Sequence, residues 1–266
     1  MKFIINADDF GHSPKENAAI VQCFADGVID RTTILVNMPD TRAACALAQE
    51  HGFFDKVGLH INLVEGRPLT ERCRQDRILC GPDGNFLGQF YLGYLRRFVL
   101  PRKTRQAIRE EVRAQIEAYL DMGFPLMHAD SHRYIHTYYS CTRVILPLLK
   151  RYGFRSVRIS RNLTGKELSI PFAVYKRIIN QKMMLMHAFK LTDFMGSLED
   201  WENYPHKERE GICELMVHPT FCGDVLFDGT LPHPSPFLTE SELNKRGIYH
   251  GEAQNAKEAR AGAVCT

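Results

Sequence analysis

Acids and histidines recur in this chain at the places where short apolar runs end. Each of them closes such a run or follows it closely. Aspartate and histidine are the side chains that zinc and other divalent first-row metals accept as ligands, and they also transfer protons in hydrolysis. Their placement predicts a metal-dependent hydrolytic site. The residues concerned are Asp8, Asp9, His60, His128, Asp130, His132 and His218.

The elements that must position these residues alternate between strand and helix. The apolar runs are predicted to be buried strands, and the amphipathic segments between them are predicted to be helices. Repeated βα units indicate an α/β fold with a parallel sheet, open or closed into a barrel, whose site lies at the carboxyl ends of the strands. The predicted strands are Lys2–Ala7, Thr33–Asn37, Lys56–His60, Pro125–Asp130, Ser156–Ile159 and Ile212–Val217.

The adjacent pair Asp8 and Asp9 can fill two different roles. Neighbouring residues at a strand end point in different directions, so one carboxylate can bind a cation while the other meets the water next to it. Two histidines and one carboxylate leave positions open for water and substrate. A metal lowers the pKa of bound water from ~16 towards ~7, a second carboxylate can take the proton, and a further histidine can protonate the leaving group.

Other catalytic arrangements fit the sequence less well. His128, His132 and His136 have the i, i+4 spacing of helical zinc proteases, but Pro125 disfavours a helix there and no Glu follows the first histidine. Glycine-rich phosphate loops and a G-x-S-x-G motif are absent from the sequence. Cys141, which is near His136, is interpreted as a buried thiol.

Length and composition favour a single domain over residues 1–266, with 44% hydrophobic and 24% charged residues. Residues from about 65 to 101 are rich in turns and are predicted to form an excursion that covers a site. A polar tail from about residue 251 is predicted to be flexible or a short helix. The densest basic run, at positions 96, 97, 102, 103 and 105, is interpreted as a solvated helix flank.

Charge, cysteines and hydropathy define the expected surroundings. A net charge of +3 gives no reason to expect nucleic acid as a partner. The amino terminus does not resemble a signal peptide, and no apolar run reaches 18 residues, so no membrane span is expected. The eight cysteines form no C-x-x-C pair, so no zinc ribbon is expected. Since no export signal is recognised, reduced thiols and a cytoplasmic location are expected. The oligomeric state stays open, a homodimer included.

Four motifs in this order resemble the YdjC-like carbohydrate deacetylases, which include chitooligosaccharide deacetylases and the hopanoid-biosynthesis deacetylase. The resemblance extends from residue 2 to about residue 220. One departure is Arg-Tyr-Ile-His at 133–136, where many members have a string of histidines, and it leaves the candidate metal ligands intact. The motifs are Asn6–Gly11 (NADDFG), Gly58–Leu63 (GLHINL), His128–His132 (HADSH) and Val217–Pro219 (VHP).

The resemblance implies a distorted TIM-like (β/α) barrel that removes the acetyl group from an N-acetylated amino sugar with the help of zinc or magnesium. In that reaction a metal-activated water attacks the acetamide carbonyl. By similarity, the functional positions are the metal ligands Asp9, His60 and His132, the general base Asp8, the general acid His218, and His128 and Asp130 as groups that orient the ligands.

Two alternatives to a deacetylase remain at this point. The first is another metal-dependent hydrolase on a similar barrel, acting on a cyclic amide or a phosphoester. An H-x-H pair after the first strand would favour this alternative, but this chain has carboxylates there. The second is a sugar-binding protein that has lost catalysis. Every residue that the deacetylase chemistry needs is present, which argues against the second.

Overall fold

The computed structural model describes residues 1–163, 170–187, 189–229 and the single positions 244 and 248. The strands within these residues are β1 (Lys2–Phe10), β2 (Arg31–Ile34), β3 (Val57–Ile61), β4 (His128–Ser131), β5 (Ser156–Val157), β6 (Phe194–Ser197), β7 (Ile212–Val217), β8 (Pro219–Cys222) and β9 (Val225–Asp228). The helices are α1 (Pro14–Ala25), α2 (Thr41–Glu50), α3 (Glu71–Arg74), α4 (Arg102–Asp121), α5 (Tyr139–Arg151), α6 (Ile170–His187) and α7 (Leu198–Glu202).

Seven parallel strands form one sheet in the order β5-β4-β3-β2-β1-β7-β6. The sheet curls into a half-barrel, so the predicted α/β fold with a TIM-like barrel is confirmed. Because all seven strands run the same way, their carboxyl ends meet at one edge, where the candidate residues were expected. Strands β8 and β9 form a separate antiparallel hairpin directly after β7.

The sequence explains why these elements form. All five residues of β3 are buried, as a strand covered on both faces requires. Helix α1 begins where Ser13 accepts a hydrogen bond from the backbone of Lys15 and Pro14 opens the first turn. Along α4, Ile108, Val112 and Ile116 form the buried stripe that their spacing predicts.

The structure corrects several predicted boundaries. Strand β1 extends to Phe10, so both aspartates lie within it rather than after it. Strand β2 begins earlier than predicted, at Arg31, and ends at Ile34. The short strand β6, helix α7 and the β8–β9 hairpin were not predicted, because segments of four or five residues hardly show a period.

The excursion at 65–101 contains α3 and two short 3-10 helices, Phe90–Leu92 and Tyr94–Arg97. Buried Cys73 and Leu79 attach it to the core. Across the described residues, none of the helices combines the length and the apolar character that crossing a bilayer requires. The predicted tail from about residue 251 lies outside the described residues.

Candidate metal centre

The backbone of β1 is irregular where it carries the two aspartates. The pairing of β1 with β2 shifts register between Ala7 and Phe10, and Asp9 has a φ of 67°, in the left-handed region. Aspartate enters this region more readily than most residues, and such outliers persist where the surroundings fix them. The bulge separates the two neighbours: Asp8 is buried, whereas the Asp9 side chain is 15% exposed.

The Asp9 carboxylate lies between two histidines. Its Oδ1 is 3.1 Å from Nε2 of His60 and 2.8 Å from Nδ1 of His132. His60 belongs to β3 and His132 directly follows the neighbouring β4, which brings the two rings to 5.7 Å between centroids. Ligand atoms of the three side chains lie within 4.8 Å of one another. The structure thus brings together the three residues predicted as metal ligands.

Each of these histidines uses its other ring nitrogen on a second carboxylate. Nδ1 of His60 is 2.6 Å from Oδ1 of Asp130, and Nε2 of His132 is 3.2 Å from Oε1 of Glu65. A carboxylate in this position fixes the ring orientation of a ligand histidine and makes its imidazole more basic. Asp130 was predicted to orient the ligands, whereas Glu65 was not singled out.

The loop after β3 is built to place Glu65. The Oδ1 of Asn62 accepts hydrogen bonds from the backbone N–H groups of Val64 and Glu65, and its Nδ2 donates to the Glu65 carbonyl. This is the local turn that asparagine side chains favour. Gln115, buried on α4, donates to the Asn62 carbonyl and accepts from its N–H. The position of Glu65 is therefore anchored to a helix of the barrel.

A fully buried arginine organises the core side of the site. Arg158 directly follows β5, and its two terminal nitrogens donate to the two oxygens of Asp8, both at 2.6 Å. One of these nitrogens also lies 2.7 Å from Asp130, and Nε donates to Glu214 at 2.6 Å. One guanidinium therefore joins Asp8 to the carboxylate that holds His60.

The carboxylates around His60 and His132 favour a positive charge at this place in the site. Burial opposes protonation of His60, but Asp130 and Asp9 outweigh it and raise its pKa to about 10. Burial also opposes ionisation of Asp9, yet the hydrogen bonds from His132 and His60 hold its pKa well below the usual range. A group of carboxylates that attracts protons this strongly also attracts a metal cation, which competes with protons for the same atoms.

His218 completes the site at the carboxyl end of β7. Its Nε2 is 3.9 Å from Oδ2 of Asp9, and its side chain is 26% exposed. The backbone N–H of His218 donates to Asp228 of the hairpin, which fixes the residue at the turn into β8. The surrounding cavity of about 600 Å³ is within the range of small-molecule sites. Its lining includes Asp8, Asp9, His60, His132, His218, Arg133, Tyr134, Arg161, Ser197 and Glu199.

The donor set fits a divalent metal. One carboxylate and two imidazoles suit zinc and other first-row metals, and an oxygen-rich neighbourhood also suits magnesium. Both imidazoles have the outer carboxylate that ligand histidines usually have. Asp9, His60 and His132 would hold the ion, while Asp8 and His218 line the same cavity.

His128 lies on the core side and not in the cavity lining, with a ring nitrogen within 4.8 Å of carboxylate oxygens of Asp130 and Glu214. Its Nδ1 pairs with the Ser156 hydroxyl at 2.9 Å, and its Nε2 has no hydrogen-bond partner among the described residues. Burial lowers its pKa to about 3, so the ring is neutral. The idea that His128 orients a metal ligand stays a prediction without a direct contact to support it. His136, by contrast, bonds Ser131 and the Arg158 carbonyl, and its segment is a 3-10 turn rather than a metal-binding α-helix.

Comparisons with known proteins show the family to which the chain belongs. The family model of YdjC-like proteins matches residues 2–254, and the chain belongs to this family. A human protein named carbohydrate deacetylase is 34% identical over 88% of this chain and 75% of its own length. Proteins with the same name from Vibrio vulnificus (strain CMCP6) and Halalkalibacterium halodurans are 34% and 32% identical, over 91% and 85% of this chain and 86% and 88% of their own lengths.

One solved structure shares the fold. It is an Enterococcus faecalis V583 protein provisionally described as a cellobiose-phosphate cleavage protein, and it matches with a TM-score of 0.67 at 22% identity. The match covers 96% of this chain and 98% of the other. At this identity it supports the fold alone.

Proposed function

We propose that this chain is a metal-dependent carbohydrate deacetylase that hydrolyses the acetamide of an N-acetylated amino sugar. The observation that carries the proposal is the Asp9 carboxylate between His60 and His132, in a cavity that Asp8 and His218 also line. Family membership and the names of the relatives support the choice of substrate class. Zinc or magnesium is the proposed cation.

When bound, a divalent cation polarises the amide carbonyl and makes water acidic enough to lose a proton near neutral pH. Asp8 is the proposed general base. Both of its oxygens accept bonds from Arg158, which fixes the carboxylate plane, and Oδ1 also accepts a bond from the Asn6 amide at 2.7 Å. A carboxylate oxygen has two acceptor sites, so Oδ2 is the atom that can still receive a proton. Proton transfer to Asp8 generates the nucleophile that attacks the acetamide carbon.

His218 is the proposed general acid. It enters the cavity from β7, and its Nε2 lies 3.9 Å from Oδ2 of Asp9, so the ring stands next to the proposed metal ligands. A protonated ring donates to the departing amine as the C–N bond breaks, so acetate and the free amino sugar are released. Asp8 and His218 thus carry the two proton transfers of the same hydrolysis.

Acetate release tests the proposal. The purified chain, loaded in turn with zinc, cobalt or magnesium, is incubated with N-acetylglucosamine and N-acetylated oligosaccharides, with the corresponding free amino sugars as blanks. We expect Asp8→Asn to keep its metal, measured by elemental analysis, and to lose ~100-fold or more in kcat. Full activity of Asp8→Asn would show that another group is the base. Absence of acetate from the whole panel would contradict the deacetylase assignment.

A further inference from the structure

A surface outside the cavity exposes an unusual amount of apolar area. Thirteen large apolar side chains are exposed in the described part of the chain. Four of them lie between residues 92 and 99, at the end of the excursion, and five lie on α6, although these two segments are short. They are Leu92, Leu95, Phe98, Val99, Phe172, Val174, Ile178, Met184 and Leu185.

The two segments form one continuous surface. The ring of Phe98, from the excursion, contacts the ring of Tyr175 on α6 with 5.6 Å between centroids. Between them, Ser140 of α5 donates a hydrogen bond to the Arg96 carbonyl, and Lys182 of α6 lies over the Tyr139 ring. We call residues 92–105 together with the exposed side of α6 the apolar–basic face.

Helix α6 is apolar on two opposite sides. Ile179 and Met183 are buried in the core. At 100° per residue, Val174, Ile178 and Leu185 lie along the opposite, outward side, and all three are exposed. Packing among the residues that the structure describes explains the inner side only. An outward apolar stripe on a surface helix indicates a partner.

The charged residues within the two segments that form this face have one sign. Residues 84–109 contain six basic residues and residues 170–187 contain three, and neither stretch contains Asp or Glu. The whole chain has a net charge of only +3, so the rest of the molecule is acidic. The interpretation of the basic run as a solvated flank leaves the neighbouring exposed leucines and phenylalanines unexplained. The basic residues are Arg96, Arg97, Arg102, Lys103, Arg105, Arg109, Lys176, Arg177 and Lys182.

We infer that the apolar–basic face docks on a lipid bilayer that contains anionic headgroups. Basic side chains meet the negative surface while the apolar stripe enters the boundary between headgroups and acyl chains, the mode of interfacial amphipathic helices. A second copy of the chain fits less well, because a two-fold interface would place one basic surface against another. Nucleic acid would pair with the charges but leave the aliphatic stripe without a partner.

The apolar–basic face adjoins the mouth of the cavity. Nζ of Lys176 donates to the carbonyl of Arg161, whose side chain lines the cavity. The Tyr175 hydroxyl donates to the carbonyl of Thr137, at the end of the turn that begins with His132. Docking would hold the cavity mouth near the bilayer. The inference rests on this surface and not on the proposed chemistry.

Vesicle flotation of the full-length chain tests the inference. The probes are vesicles of phosphatidylcholine alone and of phosphatidylcholine mixed with phosphatidylglycerol. We expect the chain to float with the mixed vesicles only, and the bound fraction to fall as salt rises, because counterions screen the attraction. Absence of binding to the mixed vesicles at low salt would overturn the inference.

Two paired variants and a matched control locate the contact. Arg96→Glu/Arg177→Glu should weaken binding ~10-fold or more, and Ile178→Ser/Leu185→Ser should also weaken it. Arg151→Glu/Arg155→Glu changes the same charge at two exposed arginines outside this face and should bind as the parent does. Equal binding by all three variants contradicts the inference. So does a dimer, seen by sedimentation equilibrium, that Ile178→Ser/Leu185→Ser dissociates, because that result would make this face an interface between copies.

Discussion

The two histidines beside Asp9 are held from opposite sides, and the two sides differ in burial. On the core side, Asp130 is fully buried and lies 2.6 Å from His60. Its second oxygen is held by Arg158 at 2.7 Å and accepts a hydrogen bond from Thr33 at 3.0 Å. Every partner of this carboxylate is itself fixed in the sheet.

On the solvent side, Glu65 is 37% exposed and lies 3.2 Å from His132. Among the described residues, the partner of its other oxygen is a second half-exposed side chain, His12, also at 3.2 Å. In low dielectric a hydrogen-bonded pair is stronger, and its loss leaves a costly unpaired charge, whereas water can replace a partner at the rim. The core side therefore provides fixed geometry, whereas the rim can adapt to substrate.

Arg158→Met, on the buried side of the site, is expected to lower the stability of the protein strongly. It removes the buried cation that Asp8, Asp130 and Glu214 share, and Asp8 then keeps only its hydrogen bond from Asn6 among the described residues. We expect the free energy of unfolding to fall by ~3–5 kcal/mol, the range for breaking one partner of a buried ion pair. Urea titration followed by circular dichroism measures it.

Arg161→Met is the matched control, since Arg161 also pairs with an aspartate, Asp200, but its side chain is 40% exposed. We expect a change of ~1 kcal/mol or less. If the two arginine variants lost similar stability, burial would not be what separates the two sides of the site.

Asp130→Asn and Glu65→Gln compare the two outer carboxylates directly. Loss of an outer carboxylate lowers metal affinity ~10–100-fold, and we expect Asp130→Asn near the upper limit and Glu65→Gln near the lower. The reason is the shorter, buried bond of Asp130 against the longer, partly solvated bond of Glu65. Competition titration with a zinc chelator measures both affinities. If Glu65→Gln lost more metal affinity than Asp130→Asn, the rim and not the core side would be the more rigid side of the site.

The face that carries the site could be predicted from the sequence, because parallel strands must bring their carboxyl ends together. That alone placed Asp9, His60, His132 and His218 near one another. The bulge in β1 could not be predicted, since nothing in the run Asn6–Gly11 marks Asp9 rather than a glycine for a left-handed backbone.

The core-side network was predictable in part but was missed. Arg158 stands within Ser-Val-Arg-Ile-Ser, and Glu214 stands within Ile-Cys-Glu-Leu-Met-Val, so each is a single charge inside an apolar strand run. Buried charges are paired, and two opposite charges in such runs are candidates for each other. Glu65 does not stand inside an apolar strand run, so the sequence did not indicate its role. Its position depends on the Asn62 turn and on Gln115, which is distant in sequence.

The smallest expected effect is that of His12, the outermost residue of the rim. The pKa of His12 is raised to about 9, chiefly by its hydrogen bond with Glu65, so the ring is charged at neutral pH and attracts that carboxylate. We expect His12→Gln to lower metal affinity less than Glu65→Gln does, because its hydrogen bond goes to Glu65 and not to a metal ligand. In the double variant His12→Gln/Glu65→Gln, the His12 change should add nothing to the loss of affinity, since its contact has already been removed. If the losses of metal affinity from the two changes added up in the chelator titration, His12 would influence the metal site by a route other than Glu65. The contacts from His12 to Glu65 and from Glu65 to His132 would then not account for the whole effect of the rim.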